Sequence, residues 1–445
     1  MKKLQLSSGL KNIAKVSTGT ILGQIISILV LPIYTRIYGA SIIGDWTLFT
    51  SISVIVGTFS DLGLMNAIMI EKEEKSVELY QVVTTIVLFF SVMASIAVGA
   101  YYYLFPHESG IAFWFFAIIV GLLIFTMQQI NVCYAWLNRK KQYNVLMKNA
   151  VINNLSAAII AVTLGLLGYT KYGYYIGLTV GQIVTLFHMK RKLPKGGITL
   201  NFGVIKAVVQ RHQDFVRYQM PTNMSTQIKN QLPTLLIRFF FGSEILGYYA
   251  VSNKVLYMPI TFLANSIGKV YYQTVAEMQR KGEAIGEYTL RNMRRAMKLA
   301  AIPMVIILSC ADWVCKIALG DSYAPAGIIC QIVCFNSFFI FLMQSTQGIA
   351  VVTRKQKYAL ISSLIQSVGY LVGFSVGKYV FDSIYVGCAI MSMIFCLAQV
   401  IYFSAIYKVV GIKPIRYIKS TVGTVIAIVF GAAVIRLILM LIGIV

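Results

Sequence analysis

Long apolar runs separated by short basic loops make up almost all of this chain of 445 residues. At a helical rise of 1.5 Å per residue, runs of roughly 20–28 residues cross a hydrocarbon core of about 30 Å. The pattern therefore predicts a helical membrane protein with thirteen spans. The predicted spans are 14–36, 41–68, 78–104, 111–136, 147–169, 172–189, 213–240, 246–272, 293–318, 323–350, 358–379, 383–407 and 418–443.

The stretch Arg217–Arg238, within the predicted span 213–240, is far more polar than the neighbouring spans. On a helix, one of its faces carries the amides Gln219, Asn223, Gln227 and Asn230. A second face carries Thr222, Thr226 and Lys229. Because a charge at the bilayer centre costs about 2.5–3.5 kcal/mol even on the lenient insertion scale, such faces must contact protein or water. We therefore expect this helix to line a hydrophilic cavity.

Composition agrees with this picture, since 58% of the residues are hydrophobic, 12% are charged and the mean hydropathy is +0.74. Soluble domains carry about 25% charged residues. The net charge of +24 comes from 39 Lys and Arg against 15 Asp and Glu. The N-terminus, with Lys2 and Lys3, and alternate loops after it hold 30 of those 39. Positive charge marks cytoplasmic loops, so we predict a multi-pass protein with a cytoplasmic N-terminus and no nucleic-acid partner.

The chain also contains an internal repeat. LPIYTRIYGASIIGDW at 31–46 is echoed by LPTLLIRFFFGSEILGYY at 232–249, and RKKQY at 139–143 is echoed by RKQKY at 354–358. Both copies of each motif fall on the same side of the membrane, which predicts parallel repeats of six helices each. The expected division is a first bundle at 1–189, a basic linker at 190–212, a second bundle at 213–410 and an additional helix at 411–445.

Further charged and polar positions are candidate site residues. Lys254 lies beside Asn253 near the middle of its span, as Lys229 does in the preceding one. Both lysines are expected in the cavity, with pairing to Asp61 or snorkelling along the span as the alternative for Lys229. Asp61 is a candidate coupling or gating carboxylate, or a partner for a basic residue at a helix end.

Arg36 and Arg238 occupy matching positions in the repeated motif, one near the end of each predicted first helix. Lipid headgroup contact or closing of the adjacent turn explains these two arginines better than substrate contact, which is the alternative. No grouping of His, Cys, Asp and Glu suggests a metal site, and no nucleophile–base pair or phosphate-cradling glycine motif is present. We therefore predict no catalytic residue, no metal and no cofactor.

The motifs just quoted, together with DLGL at 61–64 and GSEILGYYAVSNKVLYMP at 242–259, resemble those of Wzx-type polysaccharide flippases. These O-antigen and capsule repeat-unit flippases belong to the MOP superfamily with the lipid II flippase and the multidrug MATE exporters. The resemblance implies an all-α, MATE-like fold of two six-helix bundles around a central cleft. It also implies a transporter in the bacterial cytoplasmic (inner) membrane.

The implied substrate is an undecaprenyl-pyrophosphate-linked oligosaccharide, moved from the cytoplasmic to the outer leaflet by alternating access. Membrane lipids and polysaccharide polymerase or export components are the implied partners, and H⁺ or Na⁺ coupling is a candidate energy source. A multidrug or small-molecule exporter, or a lipid II flippase of the same fold, is the alternative. Lysines rather than carboxylates stand near mid-membrane, which favours an anionic, hydroxyl-rich substrate.

Overall fold

The computed structural model describes residues 8–105, 107, 110–194 and 197–442, and it describes the side chains of these residues except at 8–15 and 258–262. Lys2 and Lys3, used above in the charge count, lie outside the described residues. All regular structure among the described residues is helical, which confirms the all-α expectation.

The first half of the chain contains six α-helices, a 3₁₀ turn at Leu64–Met69 and a π-helical turn at Phe215–Gln219. The α-helices are α1 (Ser8–Ser60), α2 (Glu73–Leu104), α3 (Phe113–Arg139), α4 (Tyr143–Leu166), α5 (Gly173–Lys190) and α6 (Phe202–Arg211). The second half contains α7 (Met220–Arg280), α8 (Gly286–Leu319), α9 (Ala324–Ser345), α10 (Ile349–Val352), α11 (Gln356–Tyr379), α12 (Ile384–Val409) and α13 (Pro414–Leu441).

Ten helices in the described part of the chain are long and apolar enough to cross a membrane. Each of α1 and α7 covers two of the predicted spans, and α5 covers a further one. Two predicted spans are too long. The span 41–68 ends as a helix at Ser60, because Leu62 and Gly63 adopt positive φ of 51° and 73°. The span 323–350 is interrupted after Ser345, and Gly348 has φ of 80°.

The repeated motif has the same backbone geometry in both copies. Gly39 breaks α1 with φ 72° and ψ 173°, and Gly242 breaks α7 with φ 86° and ψ −178°. This region of backbone space is essentially restricted to glycine. No atom would lie within 4 Å of a Cβ added at either position. The glycines are therefore needed for backbone conformation rather than for close packing.

The RKKQY and RKQKY segments also form matching turns. Lys141 and Arg354 have φ of 55° and 54°, and each turn pairs an i→i−3 with an i→i−5 backbone hydrogen bond. The next helix begins two residues after the left-handed residue in both cases. The structural match is thus between Lys141 and Arg354, two positions away from the pairing that the aligned letters suggest.

Backbone contacts group the chain into two compact units, Met1–Leu235 and Leu236–Val445. In the first unit, Gly177 and Gly181 of α5 lie against Ala161 and Ala157 of α4. In the second unit, glycines of α11 lie against Gly387 of α12 in the same way. The sequence repeat assigns the start of α7 to the second bundle, but backbone contacts group α7 up to Leu235 with the first unit. The domain boundaries expected from the repeat remain a prediction.

The linker helix α6 packs on the first unit through the buried side chain of Val208. Asn201 caps α6, because its Oδ1 accepts hydrogen bonds from the N–H groups of Gly203 and Val204 at 3.0 and 3.3 Å. Just beyond the helix, His212 Nε2 lies 2.8 Å from Glu71 Oε2. The linker is therefore tied to the turn that precedes α2.

Replacing Glu71 should weaken this link in a pH-dependent way. Partial burial raises the pKa of Glu71, but the Lys72 N–H and the charges of His212 and Arg211 outweigh it and lower the pKa below its ordinary 4.5. A depressed pKa stabilises the fold above the unfolded value and loses that effect as the pH falls. The melting temperature of Glu71→Gln should lie below that of the wild type at pH 7, and the difference should shrink below about pH 4.5. An equal difference at all pH values would contradict this.

A bidentate ion pair between Arg436 and Asp312 holds the additional helix α13 to α8. Arg436 Nη1 and Nη2 donate to the two carboxylate oxygens of Asp312 at 2.7 and 2.9 Å. Gln331 Nε2 donates to the same carboxylate at 3.0 Å, and Arg436 also reaches the carbonyl oxygen of Ser309. The two charged side chains are 29% and 23% exposed, so the pair is largely removed from solvent. This pairing explains how an arginine is tolerated within the last helix.

Removing one partner of this pair should loosen α13. We expect Arg436→Ala to destabilise the protein by roughly 1.5–3 kcal/mol, because it leaves the Asp312 carboxylate without its charged donor. Arg436→Lys should lose less stability than Arg436→Ala but remain below the wild type, since an ammonium cannot make the planar bidentate contact. Thermal unfolding in detergent measures the effect. The double variant Asp312→Asn with Arg436→Gln should be milder than Arg436→Ala, and an equal or larger loss would contradict this interpretation.

Candidate functional site

The polar first part of α7 lies against the N-terminal unit. Gly63 sits where a Cβ would come within 2.9 Å of the carbonyl oxygen of Phe215 and 3.0 Å of the amide nitrogen of Met220. Further along the helix, Ser51 Oγ donates to Gln231 Oε1 at 2.8 Å. These two contacts fix which side of the helix turns toward α1.

The polar residues of this helix divide into two groups. Gln219, Asn223 and Gln227 are half-buried, and Gln219 Nε2 donates to Asn223 Oδ1 at 2.8 Å. The hydroxyl-bearing residues Thr222, Ser225 and Thr226 are exposed, and so is Asn230. The predicted amide face thus turns mainly toward the N-terminal unit, and the hydroxyl face is the accessible one.

The accessible hydroxyls keep some hydrogen-bonding capacity. Thr222 Oγ1 donates to the carbonyl oxygen of Tyr218 at 2.7 Å, and Thr226 Oγ1 donates to that of Thr222 at 3.0 Å. A hydroxyl that donates within its own helix retains lone pairs that accept hydrogen bonds. Sugar hydroxyls are suitable donors for them.

Lys229 projects away from the contact with α1. It lies two residues before Gln231, which places it about 200° around the helix from that residue. The side chain is half-buried. Over the described ranges, no carboxylate oxygen lies within 4.0 Å of its ammonium group, so the expected alternative of pairing with Asp61 is not seen. A half-buried ammonium in this setting is available to an anionic ligand.

Asp61 does not lie within a helix, as its position in the predicted span implied. It follows the last residue of α1, and its Oδ1 accepts a hydrogen bond from the Gly63 N–H at 2.9 Å. The residue is only 4% exposed. The carboxylate therefore stabilises the left-handed turn that ends α1, a role that is independent of ion coupling.

In the C-terminal unit, Lys254 and Asn253 follow a residue with a clear packing role. Ser252 Oγ donates to the carbonyl oxygen of Ala326 at the start of α9 at 2.6 Å. Lys254 is two residues further on and so projects from nearly the opposite side of α7. Both Asn253 and Lys254 are half-buried. No ion pair joins Lys254 to any carboxylate in the described part of this unit.

The two repeat-related arginines stand beside the helix breaks. Arg36 is exposed three residues before Gly39, and Arg238 is half-buried four residues before Gly242. Their surroundings thus differ although their sequence motifs match. Contact of these arginines with lipid headgroups or with substrate stays a prediction.

The sequence analysis, which singled out Asp61 as the candidate carboxylate, missed a buried acid–histidine pair. Asp45 is 2% exposed, and its Oδ2 lies 3.1 Å from His107 Nε2. Tyr175 donates its hydroxyl to the same oxygen at 3.5 Å, and the rings of Tyr102 and Phe116 pack on His107. The available signal was a carboxylate beside Trp46 inside an apolar run. The described residues contain no group of three His, Cys, Asp or Glu that could hold a metal ion.

The fold is that of MOP superfamily transporters. It is similar to the lipid II flippase MurJ in its inward closed conformation, with a TM-score of 0.68 and 14% identity over 97% of this chain and 98% of that one. An inward-facing multidrug resistance MATE family transporter gives a TM-score of 0.54 and 12% identity, covering 91% and 97% of the two chains. A MOP superfamily transporter from Pyrococcus furiosus gives 0.50 and 14%, covering 90% and 96%.

The family follows from the sequence itself. Residues 33–327 match the polysaccharide biosynthesis protein family, and the chain belongs to that family. The matched range contains both helix breaks, Lys229 and Lys254. No curated protein is similar enough in sequence to be matched. The chain is therefore a multi-pass membrane protein of a polysaccharide biosynthesis family, with the fold seen in MurJ and in MATE transporters.

Proposed function

We propose that this membrane protein is a transporter, a flippase for oligosaccharide repeat units linked to undecaprenyl pyrophosphate. The observation that carries the proposal is the chemistry of the first part of α7 in a polysaccharide biosynthesis family member. There, a half-buried lysine without a carboxylate partner among the described residues shares a helix with accessible hydroxyls. This combination suits a substrate that joins a phosphorylated head to a sugar.

The sign of the charged side chains available to a ligand distinguishes this substrate from a cationic drug. A buried cationic ligand needs an opposing carboxylate, because an unpaired charge out of water is costly. The Asp61 carboxylate already accepts a hydrogen bond from the Gly63 N–H, and the Asp45 carboxylate lies against His107. Lys229 offers a cation to a pyrophosphate, and its charge-assisted hydrogen bonds would be about twice as strong as neutral ones.

Lys254 is proposed separately, on the same grounds, as a substrate contact of the C-terminal unit. We assign the amides Gln219, Asn223 and Gln227 a supporting role, since their half-buried face holds the helix to the N-terminal unit. The sugar would contact the hydroxyl face, and the polyprenyl chain would remain in lipid.

The proposed direction is from the cytoplasmic to the outer leaflet, by alternating exposure of these polar residues to the two sides. The basic ends of α3, α5 and α8 would lie on the cytoplasmic side. Uphill transport would need an ion gradient or the membrane potential. Moving one elementary charge across a potential of 100 mV supplies about 2.3 kcal/mol of free energy.

Transport in proteoliposomes tests the function directly. Vesicles carrying a polyprenyl-pyrophosphate-linked labelled oligosaccharide would be treated with an impermeant glycosidase that removes the label from outward-facing lipid. With the protein present, we expect the protected inner-leaflet fraction to fall with time to near zero. Protection equal to that of protein-free vesicles would contradict the proposal. Efflux of a cationic dye in place of glycolipid movement would support the exporter alternative.

A further inference from the structure

The first four turns of α8 carry a stripe of cations. Arg291, Arg294, Arg295 and Lys298 are spaced at i, i+3, i+4 and i+7, which places them on one face of the helix. All four are exposed, and the opposite face, with Met293, Ala296, Met297 and Ala300, is buried. We call these four residues the basic stripe.

The basic stripe borders a hollow of about 260 Å³, whose lining also includes Glu287 and Leu290. A water molecule occupies about 30 Å³ in the liquid, so the hollow has room for a phosphate or pyrophosphate group with its hydration. Glu287, the acidic residue in this lining, forms an ion pair with Arg416 of α13. Within the described ranges, no carboxylate lies within 4.0 Å of the basic stripe.

Helix α13 forms a side wall beside the stripe. Arg294 Nε donates to Ser420 Oγ of α13 at 3.0 Å, and the Arg416–Glu287 pair joins the two helices one turn away. These contacts hold one arginine in a fixed direction. Loop charges that serve only to set topology do not require such an ordered arrangement.

The position of the basic stripe along α8 places these cations at the bilayer depth of lipid phosphate groups. The 34 residues of α8 give a helix of about 51 Å, whereas about 20 residues cross the hydrocarbon core. Counting 20 residues back from Leu319 reaches Ala300, which places Lys298 and Arg295 roughly 3 and 8 Å beyond the core. That is the region of the headgroup phosphates.

The same face of α8 becomes apolar immediately below the stripe. Leu299, Ile302 and Ile306 are 54%, 68% and 54% exposed, and they continue the stripe along the helix. One face thus presents cations at the headgroup level and then accessible apolar side chains at the level of the hydrocarbon. This order matches a phosphate group with a lipid tail, which a soluble anion does not have.

We propose that the basic stripe of α8, with Ser420 and Arg416 of α13 at its side, binds the phosphate group of a membrane lipid whose tail lies along Leu299, Ile302 and Ile306. The phosphate is the shared chemistry of two sources, an anionic phospholipid and a polyprenyl pyrophosphate. Lipid binding here is independent of the proposed transport function, because occupancy of the site does not require translocation.

Native mass spectrometry of the detergent-purified full chain tests this. The probes are phosphatidylglycerol, undecaprenyl pyrophosphate, phosphatidylcholine and inorganic pyrophosphate, each added alone. We expect retention of one or both anionic lipids in preference to phosphatidylcholine. Retention of undecaprenyl pyrophosphate alone would assign the site to the transported lipid class, and retention of both would assign it to lipid phosphates in general.

The triple variant Arg291→Gln, Arg295→Gln, Lys298→Gln should bind these lipids at least about tenfold more weakly, since each cation near an anionic surface contributes about 1 kcal/mol. It keeps Arg294 and so keeps the contact with Ser420. The matched control removes the same charge from the end of α5 through Lys190→Gln, Arg191→Gln, Lys192→Gln and should bind as the wild type does. Unchanged binding by a folded triple variant, equal retention of phosphatidylcholine, or binding of inorganic pyrophosphate alone would overturn the proposal.

Discussion

Replacing Lys229 with alanine should lower glycan export roughly 10- to 100-fold, and replacing it with glutamate should abolish export. A hydrogen bond to a charged group contributes about 1.5–3 kcal/mol, which corresponds to that range of affinity. Glutamate would add repulsion of the pyrophosphate to the loss of the contact. Lys229→Arg should retain most of the activity, because it preserves a cation on the accessible side of α7. The measurement is surface glycan in a host whose own flippase gene has been deleted.

The matched control for Lys229 is another lysine on the same helix. Lys269 is exposed near the far end of α7, and Lys269→Ala should leave export unchanged. Both variants must reach the membrane in wild-type amounts, as judged by quantifying the protein in membrane fractions. Full export by both Lys229→Ala and Lys229→Glu would remove Lys229 from the site. Loss of export in Lys269→Ala as well would point to a general effect on the helix.

Much of the fold could be predicted from the sequence because the physics that determines it is local. A run of about 20 apolar residues leaves the backbone no alternative to a helix in lipid. The repeat also located Gly39 and Gly242 as equivalent positions. Helix length was predicted less well at Leu62 and Gly63, where a left-handed turn ends α1 inside an apolar stretch that hydropathy reads as continuous.

Side-chain surroundings were harder to predict than helices. The periodicity of 217–238 identified the polar faces of α7, but it could not indicate which face turns toward α1. That choice depends on Ser51 and Gly63, which are far away in the sequence. The pairing of Asp45 with His107 has the same origin, since 62 positions of chain, including the rest of α1 and all of α2, separate them. Contacts of this kind leave no periodic signal.

The paired helix breaks should not tolerate a side chain. We expect Gly39→Ala and Gly242→Ala each to destabilise the protein by about 1–3 kcal/mol, because φ near +80° with ψ near 180° is accessible essentially to glycine alone. The natural control is Gly423 of α13, which also has no atom within 4 Å of an added Cβ but lies in regular helix. Gly423→Ala should be neutral or stabilising by up to about 1 kcal/mol.

Thermal unfolding of the three alanine variants in the same detergent therefore isolates the cost of backbone conformation, since none of them introduces a steric contact. If Gly39→Ala and Gly242→Ala were as stable as Gly423→Ala, the breaks would be flexible joints able to straighten into continuous helix. If instead both are destabilised by similar amounts, the two copies of the motif share one energetic constraint. That constraint would explain why the glycine recurs in both halves, whereas the charged and amide residues around it, such as Lys229 and Asp45, do not.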